Sequence, residues 1–170
     1  MNRVQGSMDI PLILCINPYI KKYRLRWDIK PVENQEGIVS FYETDIIVKY
    51  KLRLFDIKNT ILDTINKEID KKILSDFVWK DDMSVWLSTE NQFNYKAAYD
   101  LAVMSQGKSL PILFKFGSTD CPVYYTFETL EDISDFYLSA MAFINKTLKE
   151  GWEMKDSIDW SIYEEALKKL

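Results

Sequence analysis

The apolar residues Leu130, Ile133, Tyr137, Ala140, Met141, Ile144 and Leu148 recur at spacings of three and four. That is the period of a helix with one apolar face, and such a face must lie against another layer. Thr129 stands where an N-cap is expected, and Glu131, Asp132 and Asp135 occupy the first turns, where the helix dipole favours acids. Gly151 is expected to end this helix. A second stripe runs through Ile57, Ile61, Leu62, Ile65, Ile69, Ile73 and Leu74, with Asp56 as its expected N-cap and Lys71 and Lys72 near its end. A third helix is expected from about Glu90 to Ser105, capped by Ser88 or Thr89 and stopped by Gly107. Its expected inner face is Phe93, Ala97, Leu101 and Met104, with Ala98 and Ala102 beside them. Ser161 is expected to cap a terminal helix to Leu170.

The amino-terminal part has a different period. Tyr23, Leu25, Trp27 and Ile29 alternate with Arg24, Arg26 and Asp28, and Ile46, Val48, Tyr50, Leu52 and Leu54 alternate with Ile47, Lys49, Lys51 and Arg53. Alternation of this kind gives a strand one buried and one wet face. With a turn at Val32–Gly37 and a short strand at Ile38–Tyr42, an antiparallel meander is expected. Phe77–Trp79 and Val85–Leu87 suggest a small hairpin or tight loop. Leu110–Phe116 and Val123–Phe127 suggest a hairpin turned at Gly117–Pro122. Strands, then helices and a hairpin, indicate an α+β fold with the helices packed on the sheet. Two parts are expected, a β-rich segment over 1–55 and an α+β domain over 56–170, or the two as one continuous domain. Charge divides the same way. Residues 1–55 hold nine Lys/Arg against six Asp/Glu, a net of +3, and the remaining thirteen against twenty give −7.

Composition narrows the chemistry. The chain has 170 residues, enough to bury roughly 70% of its unfolded surface without a disulfide or metal. Aromatics at 14% supply large contact area for a core or an interface. There is no histidine, which removes Ser–His and Cys–His nucleophile pairs and imidazole ligands. Cys15 and Cys121 are expected to be packed, unpaired thiols in a reducing compartment. No apolar run approaches the ~20 residues of a spanning helix. The polar stretch Met1–Ser7 is expected to be loosely held.

No glycine-rich phosphate cradle and no C-x-x-C is present. Asp81 and Asp82 lack the ligand spacing of a calcium loop and are expected to be solvated. Glu90, Asp100 and Glu128 lie near element ends, but nothing sets the carboxylate separation that glycoside cleavage requires. No catalytic residue, metal ligand or cofactor is therefore assigned. Two surfaces are candidates for interaction. If strands 23–29 and 46–54 share a sheet, parity places Arg24, Arg26, Lys49, Lys51 and Arg53 on its wet face. Nucleic acid and an acidic neighbouring subunit are the partners weighed there, and a merely solvated face is favoured over both. The second candidate is Asn91, Gln92, Asn94 and Tyr95, where the alternative is capping and loop tethering by the amides.

The segments VWLSTENQFNYKAAYDLAV, LPILFKFG, VYYTFETLEDISDFY and EGWEMKDSIDW resemble an uncharacterised domain of phage and prophage tail-associated proteins. That domain is frequent in Bacteroides-type genomes and is sometimes labelled with tail-fibre assembly. The resemblance runs from near Ser40 to near Tyr163. Phe55–Ile57 departs from the Pro-containing lead-in of the family, and the first ~38 residues lie outside the match. The resemblance implies no catalytic residues. It implies a phage context, synthesis in a bacterial cytoplasm and a place on the virion. The expected function is thus a non-enzymatic structural or tail-assembly protein acting by contact with other phage proteins or with itself, without a membrane partner. The alternatives are a small carboxylate-dependent glycan hydrolase and a phage-encoded inhibitor of a host defence protein or its signal.

Overall fold

A computed structural model describes residues 3–80, 82–118 and 120–170. Asp81 and Thr119, which fall in two expected turns, lie outside the described residues, as do Met1 and Asn2. The elements in chain order are β1 (Val4–Ser7), β2 (Ile13–Asn17), β3 (Lys22–Pro31), β4 (Ile38–Ile47), α1 (Leu54–Ser75), β5 (Phe77–Trp79), β6 (Met83–Val85), α2 (Thr89–Met104), β7 (Ile112–Gly117), β8 (Pro122–Phe127), α3 (Leu130–Asp156) and α4 (Ser161–Lys168). They form an antiparallel amino-terminal sheet followed by helices and hairpins, an α+β fold. The chain divides into two units, Met1–Glu68 with Gly151–Leu170, and Ile69–Glu150. The divisions fall within α1 and α3, not at residue 55.

The first unit holds a sheet of order β1-β4-β3-β2, antiparallel throughout. The meander β2-β3-β4 is extended by β1, which pairs Val4–Ser7 against Phe41–Ile38. The amino-terminal stretch is therefore tied down from Val4 onward, contrary to expectation. Arg3 adds to this: its guanidinium donates to the Asp28 carbonyl at 2.6 Å, the Ser40 carbonyl at 2.9 Å and Asp28 Oδ2 at 2.6 Å. β3 bulges between Trp27 and Lys30, with Asp28 at φ +51°. Leu25 and Trp27 are buried, as are Ile57, Ile61 and Ile65 of α1. Thr64 Oγ1 reaches Thr44 Oγ1 on β4 at 3.4 Å, and the Tyr163 hydroxyl of α4 donates to the Arg26 carbonyl at 2.6 Å.

Two expectations fail at the sheet–helix junction. The expected strand at 46–54 ends at Ile47. Val48 and Leu52, four apart, are the buried pair that follows, which is the spacing of a turn. Asp56 is not the N-cap but the third residue of α1. Its Oδ2 accepts the Arg53 backbone N–H at 3.1 Å, the reverse half of a capping box, so Arg53 stands at the cap. At α4 Ser161 is the first helical residue and Trp160 the N-cap, without a side-chain cap bond; Asp159 Oδ1 takes the Ser161 N–H at 2.9 Å and its hydroxyl at 2.7 Å.

The second unit is organised around aromatic rings. Phe77, Trp79, Tyr95, Phe116, Phe127 and Phe136 are buried in one cluster, with Phe114 and Tyr125 packed against it. Trp79 meets Tyr125 and Phe136 edge-on, with centroids 4.8 and 5.1 Å away, geometry that favours the ring quadrupoles. Its indole N–H is satisfied by Asp135 Oδ2 at 3.0 Å. At the β5–β6 turn Lys80 adopts φ +49°. Its ammonium lies 4.4 Å over the Trp79 ring and donates to the Tyr125 hydroxyl and to Asp132 Oδ1. Phe116 of β7 and Phe127 of β8 are buried, while Val123 is exposed. Thr129 caps α3 through its Oγ1 to the Asp132 N–H. α3 does not stop at Gly151, which is buried within it; no proline follows, and Glu153, Met154 and Lys155 are good helix formers.

Candidate interaction surface

The five basic residues do not make one wet face, because three of them are not on a strand. Arg24 and Arg26 lie on β3 opposite Asp45 and Glu43 of β4. Arg24 donates twice to Asp45, at 2.8 and 3.2 Å, and approaches Glu43 at 3.2 Å. With Arg24, and then Lys22, beside it, the Asp45 carboxyl is held down at about 2. Arg26 is only 8% exposed; it donates to Glu43 at 3.2 Å and to the Pro11 carbonyl at 2.9 Å. Arg53 engages Asp56 and lies 4.3 Å over the Tyr50 ring. Lys49 and Lys51 are exposed beyond the end of β4. Cross-strand acids thus answer the two sheet arginines, which leaves no continuous basic stripe for an anionic partner.

The polar entry to α2 also separates into parts. Ser88 Oγ accepts the Asn91 N–H at 3.2 Å, capping the helix as expected. Asn91 Nδ2 donates to the Trp86 carbonyl at 2.9 Å and Gln92 Nε2 to the Leu87 carbonyl at 2.6 Å, so both amides tether the approach to the helix. Tyr95 is 6% exposed, with its ring 5.0 Å from those of Phe114 and Phe136. Burial pushes its hydroxyl up to about 12. It is a core residue and not part of a recognition surface. Asn94 is exposed. An open cleft of about 460 Å³ lies beside this entry, lined in part by Trp86, Asn91, Lys115 and Asp120.

The surface that sequence reasoning missed is the outer face of α2. Phe93 is 73% exposed, Leu101 55% and Met104 83%, with Ala97 between them and Val103 at the edge. These residues were expected inside. The buried side instead carries Tyr95 and Ala102, with Ala98 packed against the core. Alanine at 98 and 102 lets the helix backbone approach the core, and Tyr95 supplies the contact area. Apolar residues therefore line both sides of α2, and periodicity alone does not choose between them. Lys96 and Asp100, 2.7 Å apart, flank the exposed stripe.

Asp100 is engaged by Lys96, Glu90 lies in the first turn of α2, and Glu128 is exposed before α3. Among the described residues no group of three Cys, Asp or Glu is placed to hold a metal ion. No described helix is long and apolar enough to cross a membrane. Cys15 and Cys121 are free and exposed, not packed as expected. Comparison with protein-family models, with curated proteins and with solved structures finds no match.

Proposed function

We propose that this is a non-enzymatic assembly protein that works by protein–protein contact, and that the outer face of α2 is the contact, made to a second copy of the chain. The exposed stripe Phe93–Ala97–Leu101–Met104 carries this reading. Large contiguous apolar surface on a soluble chain marks an interaction site, and aromatic and Met side chains are enriched at interface centres. The flanking charges favour self-association. Two α2 helices crossing antiparallel about a two-fold axis at the height of Ala98–Tyr99 set Phe93 against Met104 of the second copy. The same axis brings Lys96 to Asp100 of the second copy, and Ala97 permits close approach of the helices. The setting in a phage or prophage tail, with synthesis in the host cytoplasm and a place on the virion, rests on the motif resemblance.

Sedimentation under reducing conditions tests the contact. The native chain is expected at twice its monomer mass, and Leu101→Asp at the monomer mass with an unchanged helix signal. Proteomics of purified particles tests the setting. A strict monomer that binds no other phage protein and is missing from particles overturns the reading.

A further inference from the structure

The turn between β2 and β3 carries large apolar side chains where turns ordinarily carry small polar ones. Tyr19 is 94% exposed and Ile20 50%, and Ile47 at the end of β4 is 62% exposed. The turn is bonded to the segment that follows β4. Lys22 stands across from Ile47, the Val48 N–H donates to the Lys21 carbonyl at 3.2 Å, and the Lys21 ammonium donates to the Lys49 carbonyl at 3.0 Å. Residues 16–23 and 46–55 thus share one end of the sheet. They hold five cations, Lys21, Lys22, Lys49, Lys51 and Arg53, and no acid. The acids that flank them are engaged, Asp45 by Arg24 and Lys22, and Asp56 by Arg53. Lys21, Lys49 and Lys51 are left without an opposing carboxylate in either segment.

The backbone of the turn is suited to surroundings of low polarity. Pro18 has no N–H. Asn17 Oδ1 accepts the Tyr19 N–H at 3.0 Å and the Ile20 N–H at 3.3 Å, and the Pro18 carbonyl accepts the Lys21 N–H at 3.4 Å. No backbone donor from Pro18 to Lys21 is left to lose its water, the loss that apolar surroundings penalise. We propose that this end of the sheet docks on the surface of an anionic phospholipid bilayer. Tyr19 and Ile20 enter the headgroup layer, and Lys21, Lys49 and Lys51 meet its negative charge. A tyrosine suits that depth, with an apolar ring and a polar tip, and lysine stems cover apolar surface while their ammoniums stay wet. A rigid acidic protein would need a socket for so exposed a ring, whereas lipids part around it. That no described helix can cross a membrane bears on spanning and not on lying at its surface. The site belongs to the first unit and is independent of the α2 contact.

Sedimentation with lipid vesicles tests the proposal. Each lysine near such a surface is worth about fivefold in affinity. Vesicles of phosphatidylcholine and phosphatidylserine, about two to one, are therefore expected to bind the native chain at least about tenfold more tightly than phosphatidylcholine alone. Salt at about 0.5 M is expected to remove most of that difference. Tyr19→Ser with Ile20→Ser, which keeps every charge, is expected to weaken binding at least about tenfold while the helix signal is unchanged. Lys49→Glu with Lys51→Glu is expected to abolish the preference for the anionic vesicles. Equal binding to the two vesicles, binding to neither, or undiminished binding by the Tyr19 and Ile20 double variant overturns the proposal. Tighter capture by polyglutamate than by the anionic vesicles assigns the lysines to an acidic protein and overturns it as well. The comparison of vesicles uses the native chain, so it stands even if a variant fails to fold.

Discussion

Asp56 shows how much one side chain sets locally. Its carboxylate accepts the Arg53 backbone N–H, the Arg53 guanidinium and the Tyr50 hydroxyl, the last at 2.8 Å. These bonds turn the chain out of the sheet and start α1 in the same four residues. The bonded partners, Arg53 foremost, hold the Asp56 carboxyl below its ordinary value. Asp56→Ala is expected to lower stability by about 1 kcal/mol, the usual worth of a helix-start bond. Asp56→Asn, which keeps an acceptor, is expected to lose less. Urea unfolding monitored by helix signal at pH 7 checks both, and equal losses would remove the capping role. In acid the difference between native and Asp56→Asn is expected to close, because the protonated carboxyl no longer accepts all three bonds.

Among the elements, α2 separates the two meanings of an apolar stripe. At concentrations low enough to hold the chain monomeric, Phe93→Ala is expected to change stability by no more than about 0.5 kcal/mol, as for a surface site. Tyr95→Ala is expected to cost about 3 kcal/mol through loss of a buried ring. Thermal melts of the two variants decide this, and a large loss at Phe93 would return that face to the core. The contrast also shows what was readable beforehand. The long stripes of α1 and α3 have one apolar side each, and their helices and facing were legible. The hairpin of β7 and β8 was legible too, from Leu110–Phe116 and Val123–Phe127. α2 has apolar residues all round, so the larger side chains misled and the small Ala98 and Ala102 marked the true inner side. The 46–54 run failed for another reason: its alternation was real in sequence, but a capping bond three residues long outweighed it. The surface candidates depended on these two segments, and for that reason the site was less legible than the fold.

At the scale of the whole molecule, stability against pH follows from which groups titrate. No histidine is present, so no side chain has its ordinary value between pH 5 and 8. Asp45, Asp56, Glu150 and Asp159 are all held below their usual range, by Arg24, Arg53, Lys72 and Ser161 respectively. A depressed folded value stabilises the fold above the unfolded value, about 4, and that contribution fades as pH falls towards about 2. Tyr95 and Tyr163 are raised by burial and Lys80 by Asp132. Raised values stabilise below about pH 10, and the contribution fades as pH climbs past it. The expected profile is flat from about pH 5 to 9 and falls on both sides. Urea midpoints across pH 2.5–11 check it, and a slope between pH 6 and 8 would contradict the assignment. The fall in acid is expected to be smaller at high salt, since the Lys72–Glu150 pair is exposed and the Arg24–Asp45 pair partly so, and both are screened.

The two exposed cysteines divide between the units, Cys15 on β2 in one and Cys121 ahead of β8 in the other. The native chain therefore already carries a matched pair of labelling handles, so fluorophores or spin probes attached there would report the separation of the units in solution without altering a single residue.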